Sequence, residues 1–179
     1  MYSKWHCYSY ESAWVKDLSA VGRCENHPGK YWSNPQFMLI ITEDDIVAED
    51  GYSAVIISLM IKDNEKKRQM RKLKSTKEFI QFRVHKITCK KALLQCFRTG
   101  DPLEAKYLKR VGASGPYQNM REISQRFYLS TGEYIITPST FDEHVQAEFL
   151  LRFFSERPLN SSDNDSNDLK SANQFKLMV

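Results

Sequence analysis

The sequence has 179 residues and a mass of 20.9 kDa, which is enough for one domain with its own core and hardly enough for two. Its 26 Lys and Arg residues against 22 Asp and Glu residues give a net charge of +4, too small to indicate nucleic-acid binding by itself. No apolar run reaches the roughly 18 residues of a membrane span, and the N-terminus lacks the apolar region of a signal peptide. We therefore expect a cytoplasmic protein without a transmembrane segment.

Short apolar runs rich in β-branched and aromatic residues recur along the whole chain. Several alternate with a period of two, and in residues 78–87 this alternation is typical of a strand with one face in water. The pattern predicts an all-β fold, an antiparallel β-sandwich of about eight strands. The runs that we interpret as strands cover residues 13–15, 36–42, 53–61, 78–87, 120–129, 133–138 and 148–156.

Two segments are ambiguous between helix and strand. The run "KKALLQCF", residues 90–97, has a helical pattern, but in a β-rich chain we interpret it as a short turn or connection. The run "AEFLLRFFSE", residues 147–156, also fits a helix, yet its aromatic content and length favour a strand. Large apolar side chains of these strands are predicted to form the core: Phe127, Tyr134, Phe149, Leu151 and Phe153.

The four cysteines are far apart and include no C-x-x-C pair. In a chain without a secretory signal, this spacing favours neither a zinc site nor a disulfide framework, and we expect free, mostly buried thiols: Cys7, Cys24, Cys89 and Cys96. No local signature pairs any of them with a histidine, so a thiol hydrolase is the weakest of the function classes considered. His144, between carboxylates in a polar stretch, is interpreted as an exposed loop residue.

Two charged segments flank the third predicted strand. The acidic segment offers enough oxygen ligands for calcium if the backbone folds them inward, and its acidic residues are Glu43, Asp44, Asp45, Glu49 and Asp50. The basic segment, residues 62–77, carries a net charge of +6, and its basic residues are Lys62, Lys66, Lys67, Arg68, Arg71, Lys72, Lys74 and Lys77.

Three interpretations of these segments stay open at this point. The simplest is that both are solvated loops kept soluble by their charge. Alternatively, the basic segment binds anionic lipid, where each basic residue near the surface contributes about 1 kcal/mol. In the third, the segments bind another domain electrostatically, and calcium releases the contact by neutralising the acidic side.

The run "NMREISQRFYLSTGEYIITPSTFDEHVQAEFLLRFFSE", residues 119–156, resembles the end of the third domain of calpains, a C2-like β-sandwich. An earlier stretch resembles the opening of that domain, although Gly22 and Arg23 replace its usual pair of glycines, and "SLMIKD" at 58–63 fits its third strand. The matching positions of the opening are Trp14, Ser19, Ala20, Cys24, Asn26, Trp32, Asn34, Pro35 and Gln36. The resemblance sets the folded domain at residues 5–157, and the polar residues 158–179 are expected to be a disordered tail or linker.

The resemblance implies regulation of a calcium-dependent cysteine endopeptidase. In calpains the catalytic Cys, His and Asn lie in upstream domains, and no Asn-Pro-Trp-Gly segment occurs in this sequence, so we expect no catalysis by this chain alone. The family's acidic loop is implicated in contacts with the protease core, calcium and phospholipid, which makes calcium the one candidate cofactor. No penta-EF-hand domain follows, so the chain is expected to be a fragment, a variant product or part of a larger protein. The alternative is a stand-alone C2-like module that binds membranes or a partner.

Overall fold

The computed structural model describes residues 5–26, 28–46, 50–62 and 78–157, together with the backbone of 177–178. Its strands are β1 (His6–Trp14), β2 (Gln36–Ile41), β3 (Ser53–Ile61), β4 (Ile80–Ile87), β5 (Leu108–Ala113), β6 (Glu122–Leu129), β7 (Gly132–Thr140), β8 (Ala147–Ser155) and β9 (Leu177–Met178). One α-helix, α1 (Lys90–Thr99), and three short 3-10 turns accompany them in the described part of the chain.

The strands form two antiparallel sheets, which confirms the predicted all-β sandwich. The first sheet has the order β1-β8-β3-β6 and the second the order β5-β4-β7-β2-β9. Alternate side chains of both sheets meet in one core, because successive residues of a strand point to opposite faces. All five residues predicted for the core are buried there: Phe127, Tyr134, Phe149, Leu151 and Phe153.

Residues 90–99 form a helix, so our interpretation of residues 90–97 as a turn was wrong. Ala92 and Leu93 pack on Met38 and Ile135, which point outward from the second sheet. This packing stabilises a helix that is too short to persist alone. The helix ends at Gly100, whose left-handed φ of 78° places its N–H 2.8 Å from the carbonyl oxygen of Cys96.

The prediction of one solvent-exposed face for residues 78–87 was also wrong. Gln81, Arg83 and His85, on the outward side of β4, are all less than 9% exposed. The covering residues come from the loop between β1 and β2: the ring centroid of Trp32 lies 5.1 Å from that of His85, and Arg83 lies over the ring of Tyr31. Both faces of β4 are therefore covered.

The cysteines are free, as expected, but they are less buried than predicted. Cys7 is exposed on β1, whereas Cys24, Cys89 and Cys96 are partly buried. The segment 147–156 is a strand, as predicted. Within the described residues, no helix combines the length and the apolarity required to span a membrane.

Candidate functional site

The described part of the acidic segment and Lys62, the first residue of the basic segment, lie at opposite ends of the sandwich. The acidic segment connects β2 to the start of β3, and Lys62 directly follows the last residue of β3. A strand rises about 3.3 Å per residue, so the nine residues of β3 separate Lys62 from the acidic segment by roughly 25–30 Å. We call these two ends of the molecule the acidic end and the basic end.

Glu43, Asp44 and Asp45 form a 3-10 turn immediately after β2. The side chain of Asp45 is buried, and its Oδ2 accepts hydrogen bonds of 2.7 Å from both the backbone N–H and the hydroxyl of Thr42. Asp45 thus holds the start of the turn, as capping residues do. Glu43 and Asp44 are exposed, so they present their carboxylates to solvent.

Residues far away in the sequence surround this acidic turn. Glu43 lines a cleft of about 450 Å³ together with Lys86, Lys90 and Glu133. Lys86 Nζ donates hydrogen bonds of 2.9 Å to Ser130 Oγ and to the carbonyl oxygen of Thr131, so the lysine is fixed against the β6–β7 turn. The acidic end is therefore a mixed surface, in which exposed carboxylates border on lysines.

Two further contacts tie the acidic segment to its surroundings. Arg157 Nη1 donates a 3.2 Å hydrogen bond to the carbonyl oxygen of Asp44, which links the end of β8 to the turn. Asp50 Oδ1 accepts a 3.1 Å hydrogen bond from the backbone N–H of Tyr52. The side chains of Lys86, Glu133 and Arg157 were not among the predicted site residues, since strand pairing alone brings them to this end.

The described residues contain no group of three or more His, Cys, Asp and Glu side chains arranged to hold a metal ion. Glu49, one of the five predicted acidic ligands, lies outside the described residues. Calcium binding by this segment stays a prediction, and Glu43, Asp44 and Asp50 are the described exposed carboxylates that it would use.

Lys62 is the one residue of the basic segment within the described part. Its Nζ lies 2.7 Å from Glu11 Oε2, and its backbone N–H donates a 2.8 Å hydrogen bond to the carbonyl oxygen of Glu148. Lys62 is thus fixed to the outer surface of the first sheet. The other basic residues of the segment lie outside the described residues: Lys66, Lys67, Arg68, Arg71, Lys72, Lys74 and Lys77.

An ion pair fastens the long β1–β2 loop onto the second sheet. Arg83 Nη2 donates to Glu25 Oε1, and Arg83 Nε donates a 3.1 Å hydrogen bond to Gln81 Oε1. Partial burial raises the pKa of the Glu25 carboxyl, but the hydrogen bond from Arg83 and its charge outweigh that effect and hold the pKa below its ordinary value. Glu25 is therefore an anion at neutral pH and anchors the loop.

His85 lies next to this ion pair, beneath Trp32. Burial, together with the positive charges of Arg83 and Arg110, lowers the pKa of His85 to about 4. Its buried Nδ1 has no hydrogen-bond partner among the described residues. A neutral, enclosed imidazole of this kind contributes to packing.

His144 is an exposed loop residue, as predicted, with a left-handed φ of 61°. Its Nδ1 lies 3.4 Å from Asp17 Oδ1 and its Nε2 lies 3.8 Å from Glu143 Oε2. The groups that it contacts are carboxylates. This geometry does not create the pair of thiolate and base that a cysteine hydrolase requires.

The comparisons with known proteins identify one family. Residues 10–154 match the family model described as calpain large subunit, domain III. The chain is 34% identical over 164 residues to Calpain-A of Drosophila melanogaster, and the match covers 90% of this chain and 19% of that protein. It is 34% identical over 167 residues to human Calpain-9, with 92% and 22% covered. With Calpain-1 catalytic subunit of Pongo abelii it shares 33% over 174 residues, with 90% and 22% covered. The chain spans about a fifth of the length of these relatives.

Proposed function

Since this chain belongs to the calpain family and corresponds to domain III of the large subunit, we propose that it is a non-catalytic regulatory domain of a calcium-dependent cysteine endopeptidase. Its partner is the protease core of the parent protein, in the cytoplasm. The match to domain III of the large subunit, over about a fifth of the relatives' length, is the observation that carries this proposal. Peptide hydrolysis is then the task of other domains, and this domain modulates it.

The acidic end supplies the contact with the protease core. Glu43 and Asp44 are exposed, while Asp45 and Arg157 hold their turn in a fixed position. Fixed carboxylates at one end of a stable sandwich can attract a basic surface without a large loss of conformational entropy on binding. Calcium that binds near these carboxylates weakens the attraction and links calcium concentration to the activity of the core.

The size and activity of the native polypeptide test this proposal. An antibody raised against residues 62–77 is used to detect and precipitate the protein from native tissue. We expect a polypeptide about five times larger than 20.9 kDa, because the chain spans 19–22% of its relatives, and we expect calcium-dependent peptide hydrolysis in the precipitate. A 20.9 kDa polypeptide without hydrolytic activity contradicts the proposal and favours a stand-alone module.

The second candidate function is binding to anionic phospholipid through the basic segment. The segment carries a charge of +6, and its first residue, Lys62, follows β3 at the end of the sandwich away from Glu43 and Asp44. At roughly 1 kcal/mol for each basic residue near an anionic surface, such a segment is sufficient for reversible membrane binding. In this case the sandwich docks on a membrane by its basic end, and its acidic end stays free for the protease core.

Co-sedimentation with vesicles of phosphatidylserine and phosphatidylcholine tests this candidate. We expect binding in low salt, with a loss in high salt and in a variant in which Lys66, Lys67, Arg68 and Arg71 are replaced by Glu. A matched variant reverses four other basic residues, Lys16, Lys30, Lys90 and Lys91, and should retain binding. If high salt and the Glu replacements at Lys66, Lys67, Arg68 and Arg71 both leave co-sedimentation unchanged, lipid binding by this segment is contradicted.

A further inference from the structure

The first sheet ends at an edge strand, β6, which pairs with β3 on one side and with no other strand among the described residues. Its register with β3 is continuous from Glu122 to Leu129, and the strand contains neither a proline nor a bulge. Proteins commonly protect their sheet edges with such features, because the N–H and C=O groups of an open edge can pair with a strand of another chain. β6 is therefore a candidate for pairing with a further strand.

The direction of the backbone groups of β6 follows from one hydrogen bond. The N–H of Ile61, the last residue of β3, donates a 2.9 Å hydrogen bond to the carbonyl oxygen of Arg121. Since backbone groups alternate in direction along a strand, the odd-numbered residues of β6 bond to β3 and the even-numbered residues face the open edge. The carbonyl oxygen of Arg126 agrees with this, because it accepts a 3.2 Å hydrogen bond from the exposed side chain of Gln125. Four residues of β6 thus present N–H and C=O groups at the edge: Glu122, Ser124, Arg126 and Tyr128.

The side chains of these four residues lie on the outer face of the first sheet, since Ile123, Phe127 and Leu129 point into the core. Tyr128 is 62% exposed, and Met120, two residues before the strand, is 54% exposed. From 120 to 128, the even-numbered positions are therefore apolar, acidic, small and polar, basic, and apolar.

This order is complementary to itself when a second copy runs in the opposite direction. Antiparallel pairing centred on Ser124 places Glu122 opposite Arg126 of the second copy, and the two-fold axis repeats this contact. The same register places Met120 opposite Tyr128 of the second copy. A centre at Glu122 or at Arg126 would instead place like charges opposite each other, which destabilises a strand pair. The charges therefore favour one register and a second copy as the partner.

Both charged side chains are held on the face where this contact forms. Glu122 Oε1 accepts hydrogen bonds from Ser58 Oγ and from Arg152 Nη2, so Glu122 Oε2 can accept one from a second copy. Arg126 is exposed, and its Cζ lies 5.4 Å from the ring centroid of Trp5. Side chains that are fixed before association lose less conformational entropy when they bind.

We propose that two copies of this chain pair through β6 about a two-fold axis at Ser124, so that their first sheets form one continuous sheet with four strands from each copy. The other edge strand of this sheet, β1, lacks such self-complementarity, because its outward-facing residues Cys7, Ser9 and Glu11 include an acid but no base. One strand pair is a small interface, and the dimer is accordingly weak and reversible. This inference is independent of the protease-related function, since it rests on strand order, register, exposure and charge.

Sedimentation equilibrium of the full chain tests the pairing. We expect a reversible dimer of about 42 kDa, twice the mass of 20.9 kDa, as the protein concentration is raised toward the millimolar range. Ser124→Pro removes an N–H at the open edge without removing a hydrogen bond to β3, and it should raise the dissociation constant at least about tenfold. A chain that stays monomeric at every concentration overturns the proposal.

Ser9→Pro is the matched control, at an exposed serine of the other edge strand. The carbonyl oxygen of Glu148 accepts a hydrogen bond from Lys62, next to β3, so by alternation the backbone of Arg152 faces β3 as well. Ser9, which lies opposite Arg152, therefore also directs its N–H to an open edge. We expect Ser9→Pro to retain the dimer and to melt at the same temperature as Ser124→Pro. An equal loss of the dimer in both variants overturns pairing through β6.

A charge reversal tests the register with a variant that leaves the backbone unchanged. Arg126→Glu places a carboxylate opposite Glu122 of the second copy at two symmetric points, and it should raise the dissociation constant about tenfold or more, with a smaller effect in high salt. Arg98→Glu makes the same change of charge at an exposed position of α1 and should leave the dimer unaffected. A dimer that tolerates Arg126→Glu, or that responds equally to both variants, overturns the proposed register.

Discussion

Trp14 donates a buried 3.2 Å hydrogen bond from its indole Nε1 to the carbonyl oxygen of Pro138. Trp14 ends β1 in one sheet and Pro138 lies in β7 of the other, so this bond joins the two layers of the sandwich. β2 begins at Gln36 and does not extend to the register of Pro138, which is why a proline is accommodated in an inner strand here. Trp14 and Pro138 both belong to the stretches that resemble the calpain domain. Although 124 positions separate them in the sequence, this single contact gives a structural reason for both.

Replacement of Trp14 by Phe should lower the free energy of unfolding by about 1–3 kcal/mol, because it leaves a buried carbonyl oxygen without its donor. The Phe ring retains much of the packing on Phe149, whose ring centroid lies 4.3 Å from that of Trp14. Urea denaturation measures the effect, with Trp5→Phe as the matched control at a partly exposed position. Equally small losses of stability in both variants would mean that the hydrogen bond between the sheets does not contribute significantly to the free energy of unfolding.

Gly22 is the position at which the family's paired glycines are altered, and the structure explains why one glycine is retained. Its φ is +76°, and an added Cβ would lie 2.7 Å from the backbone nitrogen of Glu143. The change Gly22→Ala should therefore cost about 2 kcal/mol or more, since it combines a left-handed backbone with a clash against main-chain atoms. Gly29→Ala is the control, because nothing lies within 4 Å of its added Cβ. Equal melting temperatures of the two variants would refute this explanation of Gly22.

The sandwich could be predicted from the sequence because its inner strands are rich in β-branched and aromatic residues with a period of two. β5, "LKRVGA", was missed since it is a largely exposed edge strand with few apolar residues, paired to β4 through an irregular register. The burial of Arg83 and His85 was missed because the loop that covers them comes from residues more than 45 positions earlier. Burial by a loop that is distant in the sequence leaves no periodic pattern in the residues of the strand itself.

The charged segments could be predicted as candidates, but their geometry could not. Composition identified the acidic and basic residues, yet β3 was required to establish that the acidic turn and Lys62, the first basic residue, lie at opposite ends of the sandwich. Asp45 was grouped with the candidate calcium ligands, whereas its Oδ2 accepts two hydrogen bonds from Thr42 and holds the turn, which its sequence position does not reveal. Lys86 and Arg157 reach the acidic end through strand pairing, which local sequence does not specify.

The two neighbouring aspartates of the acidic turn should behave differently on mutation. Asp45→Ala removes a buried cap and should reduce stability by about 1–2 kcal/mol. Asp44→Ala, at an exposed side chain, should change stability by less than about 0.5 kcal/mol. Thermal denaturation of the two variants measures the difference. A stable Asp45→Ala variant would mean that the turn does not depend on this carboxylate.

His85 predicts a specific dependence of stability on pH. Its pKa is about 4 in the folded protein and about 6.5 when unfolded, so between these values the unfolded chain binds a proton that the folded chain does not. Stability should therefore fall as the pH is lowered from 6.5 toward 4, by up to about 3 kcal/mol from this residue. Urea denaturation at a series of pH values between 7 and 5 should show a flatter dependence for His85→Gln. An unchanged slope in His85→Gln would contradict the effect.

The most direct test of a regulatory role is a calcium titration of peptide hydrolysis by the full parent protease that contains this domain. In one variant Glu43 and Asp44 are both replaced by Lys, and the matched control replaces Glu104, an exposed carboxylate outside the acidic segment, by Lys. We predict that the calcium concentration for half-maximal activity shifts in the first variant and stays unchanged in the control. Identical calcium curves for the wild type and both variants would contradict a regulatory contact at the acidic end.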